Sequence, residues 1–198
     1  MPAKPKTYRA PRPQIAEIEP YDPKYLPARI MISANENPRP LPHEVQAKIE
    51  AAITQVDLNR YPDPLANPLR KLIGQAWGYD REYVLMGNGG DELLFDFALC
   101  WGGPERTMLT CPPTFSVYEA NAVLTDTQVV SIPRKSDFSL DEEAILSRVA
   151  QGDIDYAILT SPNNPTGNIT SPAFIEKLLE TSDTLVMVDE AYGEFGGE

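Results

Sequence analysis

Two hydrophobic periodicities divide the chain. In the first stretch apolar residues recur at helical spacing: Val45, Ile49, Ala52 and Ile53, then Leu69, Leu72, Ile73 and Ala76. This predicts helices over about 42–56 and 68–77, each opened by a proline, Pro42 or Pro68. Further on, short apolar runs alternate with helical patterns. Residues 83–86, 107–110, 128–132, 156–160 and 184–188 read as strands, and 91–101, 115–122, 140–150 and 172–180 as helices. Ser139 or Asp141 stands near the cap of the third of these helices. The last two strands are nearly continuous apolar runs. Such strands belong to a largely parallel sheet covered on both faces, an α/β architecture.

The start of the chain follows neither period. Residues 1–42 hold a large share of the 20 prolines. Proline removes backbone donors and fixes φ, so this stretch predicts an extended arm, with 1–14 as a basic, proline-rich tail. The organisation is therefore an arm over 1–42, a helical segment over 43–80, and an α/β domain over 81–198.

Composition narrows the chemistry. A chain of 198 residues, 42% of them apolar, can bury a real core. Its formal net charge of -12 repels nucleic acid and anionic membranes, so neither is expected as a partner. A phosphate ligand stays open, because helix amides can hold one without a cation. Cys100 and Cys111 match no metal spacing and read as reduced core or near-core residues. The single histidine, His43, argues against a triad or a histidine-rich metal site, and no metal is expected. No apolar h-region follows the basic start, and no run approaches membrane-spanning length, so the expectation is a soluble cytoplasmic protein.

Four segments carry candidate chemistry. In open α/β sheets ligands bind beyond the carboxyl ends of strands, and three of these segments follow strands. Gly87-Asn88-Gly89-Gly90-Asp91-Glu92 offers small residues and a helix start, suited to a phosphate. An ordinary tight turn would use the same residues. Ser161-Pro162-Asn163-Asn164-Pro165-Thr166-Gly167-Asn168 follows a buried strand, and Asn164 can donate from it. A turn would need only two or three of these eight. Asp189, at the end of an apolar strand, needs a cation or strong donors, and a protonated pyridine nitrogen would suit it. Tyr192 can reach the same ligand. An aspartate capping the next turn is the alternative. Phe115 could stack on a flat ligand or serve as a core aromatic.

Taken together, these segments resemble the fold-type I aminotransferases. The order matches: asparagine-rich arm, Arg-Tyr-Pro loop, Gly-Asn-Gly turn, Pro-Thr-aromatic helix, Asn-Asn-Pro-Thr-Gly, Asp-Glu-Ala-Tyr. Asn35-Glu36-Asn37-Pro38, Arg60-Tyr61-Pro62-Asp63 and Glu19-Pro20-Tyr21 are similar to the histidinol-phosphate aminotransferase branch. The resemblance covers about residues 15 to 195. It implies a three-layer α/β/α large domain, with part of 43–80 belonging to a smaller domain, and pyridoxal 5'-phosphate as cofactor.

The same resemblance implies the roles of single residues. Gly90 and Asp91, with Glu92 beside them, would give amides to the cofactor phosphate. Phe115 would stack on the ring. Asn164 and Tyr192 would bond its hydroxyl oxygen, and Asp189 would pair with its nitrogen. Tyr61 would reach the cofactor phosphate of a neighbouring subunit, implying a homodimer, and Asn35 would lie near the substrate, with the arm helping to close the site. The implied reaction exchanges an amino group between L-histidinol phosphate and 2-oxoglutarate in histidine biosynthesis. Aromatic aminotransferases and threonine-phosphate decarboxylases share much of the pattern, and a non-catalytic binding fragment is a further alternative. The family's Schiff-base lysine follows one more strand after Asp-Glu-Ala-Tyr. Lys4, Lys6, Lys24, Lys48, Lys71, Lys135 and Lys177 all precede Asp189, so the expectation is a sheet incomplete at its C-terminus and a chain inactive by itself.

Overall fold

The computed structural model describes residues 9–16, 18, 26–31 and 33–197. Glu19-Pro20-Tyr21 and the first eight residues of the tail lie outside them. The elements run α1 (Pro13–Ala16), α2 (His43–Ile53), α3 (Asn67–Trp77), α4 (Gly90–Trp101), β1 (Thr107–Thr110), α5 (Val117–Leu124), β2 (Gln128–Ser131), α6 (Glu142–Val149), β3 (Tyr156–Thr160), α7 (Pro172–Thr181) and β4 (Leu185–Asp189). Two units divide the chain: 1–18 with 87–198, and 19–86. The sequence pattern set this boundary at 80/81 and grouped the whole of 1–42 as one arm. No helix among the described residues is long and apolar enough to cross a membrane.

Within the larger unit, side-chain alternation along the strands sorts the core into two layers. Met108, Tyr156 and Ile158 point to one face and pack with Leu94 of α4 and Tyr118 and Ala122 of α5. Leu109, Ala157 and Leu159 point to the other, against Ile145 and Val149 of α6 and Phe174 and Leu178 of α7. The result is the expected α/β/α sandwich. All strand pairs are parallel, in the order β2-β1-β3-β4. The chain leaves β1 toward one edge and β3 toward the other, so the order reverses between β1 and β3. Their crossover helices, α5 and α7, accordingly cover opposite faces. Loops leaving a reversal point diverge and open a crevice at the carboxyl ends.

Four strands form among the described residues, where the pattern predicted five. Residues 83–86 do not pair. Tyr83 ends a 3₁₀ turn, and Arg70 takes one carbonyl of the run and one just before it: its Nε donates to Val84 O at 2.6 Å and its Nη2 to Arg81 O at 2.8 Å. Cys100 is a second correction. Cys111 is buried, but Cys100 is exposed. The run over α4 is apolar on nearly all sides, and only the stripe through Leu94 and Ala98 faces the sheet. Helix α5 starts two residues later than predicted, leaving Phe115 in the loop. The tail also has local structure: α1 forms, and Arg12 bonds the Asp126 carboxylate and Leu124 O.

The smaller unit holds α2 and α3. Asp63 closes the start of α3 by accepting from the amides of Leu65 at 3.0 Å and Asn67 at 2.8 Å. These amides hold its carboxyl below the usual carboxylate range. Asp63 thus anchors the loop that carries Tyr61. The ring of Tyr61 is fully exposed, and Asn35 is exposed in a left-handed turn with φ 54°.

Candidate active site

Three loops and one helix start meet at the carboxyl ends of the strands. They enclose a cleft of about 220 Å³. From α4 come Gly90 and Asp91. Phe115 comes from the loop after β1, Asn164 from the loop after β3, and Asp189 and Tyr192 from the end of β4 and beyond. Six of the seven residues that the sequence pattern placed here are therefore neighbours. The seventh, Glu92, does not line the cleft, and the part implied for it is that of its backbone amide. Its carboxylate accepts from the Asn88 amide at 2.5 Å and from Asn88 Nδ2 at 3.2 Å, which lowers its pKa. Glu92 thus closes the glycine turn in the manner of a capping box. Tyr61 and Asn35 belong to the other unit.

The helix start needs its glycines. Gly89 caps α4 at φ 88°, a left-handed conformation that side chains resist. The amides of Gly90, Asp91 and Glu92 occupy the first turn, where no intrahelical carbonyl is available. A Cβ at Gly89 or Gly90 would meet nothing within 4 Å, so this backbone is open to a ligand.

The wall of the cleft is tied together by side chains that the sequence pattern did not single out, and two of them, Tyr118 and Thr160, line the cleft themselves. Tyr118 OH lies 2.8 Å from Asp189 Oδ2 and 2.9 Å from Thr160 Oγ1. Thr160 and Asp189 are register partners, so their side chains share a face. Thr160 in turn is 3.2 Å from Thr114 Oγ1, which is 2.8 Å from Asn163 Oδ1. Asn163 Nδ2 donates to Pro113 O at 3.1 Å and to Thr166 Oγ1 at 2.8 Å. Adjacent asparagines thus have different duties: Asn163 is buried and knots the loops together, while Asn164 faces the cleft. Burial pushes the Tyr118 phenol above its ordinary range. The Thr160 bond opposes this, and the carboxylates of Asp189 and Asp91 add to it. Tyr118 is accordingly a donor throughout the neutral range. Along the sequence nothing marks this tyrosine beyond its place three residues after Phe115.

Asp189 is half-buried. Besides Tyr118 it accepts from the Ala191 amide at 3.0 Å. Both donors are neutral, and no lysine or arginine among the described residues pairs with it or lines the cleft. The site therefore presents an uncompensated carboxylate, an aromatic ring that meets Tyr118 edge-on at 85°, and free helix amides. These are the complements of a flat, cationic heterocycle carrying an anionic group.

The chain is similar to known proteins in sequence and in fold. The model of the family "Aminotransferase class I and II" matches residues 29–198. A histidinol-phosphate aminotransferase of Desulfitobacterium hafniense is 39% identical over 193 residues, which cover 94% of this chain and 53% of that protein. The chloroplastic histidinol-phosphate aminotransferase of Nicotiana tabacum is 37% identical over 94% of this chain and 47% of its own length. Among solved structures, the histidinol-phosphate aminotransferase of Clostridium acetobutylicum is 28% identical, with a TM-score of 0.71 over 83% of this chain and 48% of that one. The enzyme from Sinorhizobium meliloti, in complex with pyridoxal-5'-phosphate, has the same fold at a TM-score of 0.79 and 24% identity, over 95% of this chain and 52% of its own. The chain thus spans about half the length of the curated relatives it matches. With its matched residues and its three-layer sheet in agreement, this chain belongs to the class I and II aminotransferases.

Proposed function

We propose that this chain is the cofactor-holding portion of a pyridoxal-phosphate-dependent aminotransferase that exchanges an amino group between L-histidinol phosphate and 2-oxoglutarate, a cytoplasmic step of L-histidine biosynthesis. The carrying observation is Asp189, a half-buried carboxylate held only by neutral donors. Pyridoxal 5'-phosphate fits these residues: its protonated ring nitrogen supplies the missing cation, and its phosphate suits the open amides at Gly90 and Asp91. When bound, the cofactor supplies an electron sink for the reacting carbon of the substrate.

This chain's own residues bind and orient. Asp189 keeps the ring nitrogen protonated. Phe115 stacks on the ring and excludes water from that face. Asn164 and Tyr192 hydrogen-bond the ring oxygen, and the amides of Gly90 and Asp91, with Glu92 beside them, hold the phosphate. Tyr61 reaches the cofactor phosphate of a neighbouring subunit in a homodimer, and Asn35 lies near the substrate. Among the described residues the cleft lining holds no lysine. On this reading the lysine that holds the cofactor in the family is not one that the described residues bring to the cleft. The substrate reading is supported by the relatives' identity over nearly the whole chain.

The test compares two proteins: these 198 residues alone, and the product of the same gene read through any sequence that follows. With added cofactor the first is expected to show no transamination, and the second to convert histidinol phosphate with 2-oxoglutarate. Turnover by the 198 residues alone overturns the missing lysine. Turnover of aromatic amino acids but not histidinol phosphate overturns the substrate.

A further inference from the structure

The protons available in this network at the cleft wall fix the direction of each bond. Asn163 Nδ2 faces a carbonyl, Pro113 O, which settles the orientation of the amide. Its Oδ1 therefore faces Thr114 and can only accept, so Thr114 donates at 2.8 Å. The Asp189 carboxylate likewise only accepts, and takes the single Tyr118 proton at 2.8 Å. Tyr118 has no second proton, so Thr160 donates in their 2.9 Å contact. Both threonine protons are then committed. The Thr114–Thr160 contact, at 3.2 Å the longest of the four, is the one left without a proton. The chain of donation runs from Thr160 to Tyr118 to Asp189.

This direction has a consequence for the carboxylate. Asp189 has one donor on each oxygen: Tyr118 on Oδ2 and the Ala191 amide on Oδ1. Two fixed donors stop rotation of the carboxylate plane. The Tyr118 ring is 1% exposed, lies edge-on to Phe115 and packs in the core layer with Met108 and Tyr156, so its hydroxyl has no freedom to wander. A neutral donor also leaves the charge of Asp189 in place, where a lysine or arginine would cancel it.

We propose that Tyr118 is a positioning residue for Asp189: its hydroxyl, oriented by Thr160, holds the carboxylate where it meets the cofactor's ring nitrogen. This rests on the cofactor reading above. Tyr118 also lines the cleft, and the role assigned to it here is the one its hydroxyl exerts through Asp189.

Three variants of the purified protein test it. Tyr118→Phe deletes the hydroxyl and keeps the ring. Thr160→Val deletes the donor that orients Tyr118, and Thr160→Ser restores it. Pyridoxal 5'-phosphate is titrated into each, following the visible absorption band of the bound cofactor across pH and the cofactor-induced rise in thermal midpoint. The midpoint without cofactor reports the fold separately. Loss of one hydrogen bond to a charged group predicts a Kd weakened about tenfold in Tyr118→Phe. Loss of a neutral one predicts about threefold in Thr160→Val. Thr160→Ser is expected to match the parent, and the band of Tyr118→Phe to change its pH dependence. A parental Kd and band in Tyr118→Phe, with a parent that binds, overturns the positioning role. A parental Kd in both Thr160 variants overturns the orienting role of Thr160, and a parent that binds no cofactor overturns the cofactor reading itself.

Discussion

At the amino ends of the strands, Asp155 binds the Arg106 guanidinium and accepts from the Thr107 amide at 2.8 Å. At the carboxyl ends, Asp189 binds a phenol and the Ala191 amide. Both carboxylates are half-buried, and each has a backbone donor and a side-chain donor. They differ in charge. Asp155 is neutralised within the chain, and its main chain also joins three strands: its amide donates to Thr107 O and its carbonyl accepts from Leu185. Asp189 keeps its charge. The same residue type is thus a staple at one rim and an offer to a ligand at the other. The cation partner separates them, since a partly buried carboxylate without one is costly unless something binds it.

Removing the charge of Asp189 gives the largest expected effect. Asp189→Asn keeps the shape, and an amide oxygen can still accept from Tyr118. Truncation of one partner of a buried charge pair predicts a cofactor Kd weakened about a hundredfold, measured by titration. The thermal midpoint without cofactor should stay near that of the parent. A Kd within threefold of the parent would mean that the cleft recognises shape and not charge, and the contrast between the two aspartates would collapse.

The converse substitution, Asp155→Asn, should act on the fold alone. It removes the Arg106 ion pair and weakens the bond to the Thr107 amide. The expected loss is about 1–2 kcal/mol in urea unfolding. Cofactor affinity in the folded protein should be unchanged. A weakened Kd here would show that the two rims are coupled through the strands.

The sequence exposes this contrast unevenly. Asp189 was legible because a charge closing the apolar run Leu185–Asp189 violates the pattern. The glycine turn was legible for the same reason, and β3 because all five of its residues are buried, which leaves an uninterrupted apolar signature. Tyr118, Thr160, Thr114 and Asn163 were not legible. Along the chain they look like core, strand-end or turn residues, and only the reversal between β1 and β3 brings their hydroxyls and amide together. Residues 83–86 show the opposite failure. Their apolar character fits a strand, but Tyr83 closes a 3₁₀ turn and Arg70 claims the Val84 carbonyl, which no periodicity encodes. Asp155 was silent because a carboxylate beside a Gly-Asp-Ile turn reads as ordinary surface.

The smallest expected effect is the pH signature of the staple. Burial alone would raise the Asp155 carboxyl, but the Arg106 bond and the Thr107 amide together outweigh it, and it lies below its ordinary 3.8. A depressed folded-state pKa stabilises the fold at pH above the unfolded value, and this contribution is lost as pH falls through the folded value. Parent stability should therefore decline more steeply below about pH 4 than that of Asp155→Asn. Asp153 is lowered in the same way by Arg148. The Asp153 carboxylate is exposed, and that pair is common to both proteins. The difference between the two acid limbs, measured by urea unfolding at a series of pH values, isolates Asp155. Parallel limbs would mean that the folded protein does not favour the charged Asp155 carboxyl, so that neither the Arg106 pair nor the Thr107 amide adds charge-dependent stability. Any loss in Asp155→Asn would then lie in geometry alone, and the charge contrast between the two rims would collapse.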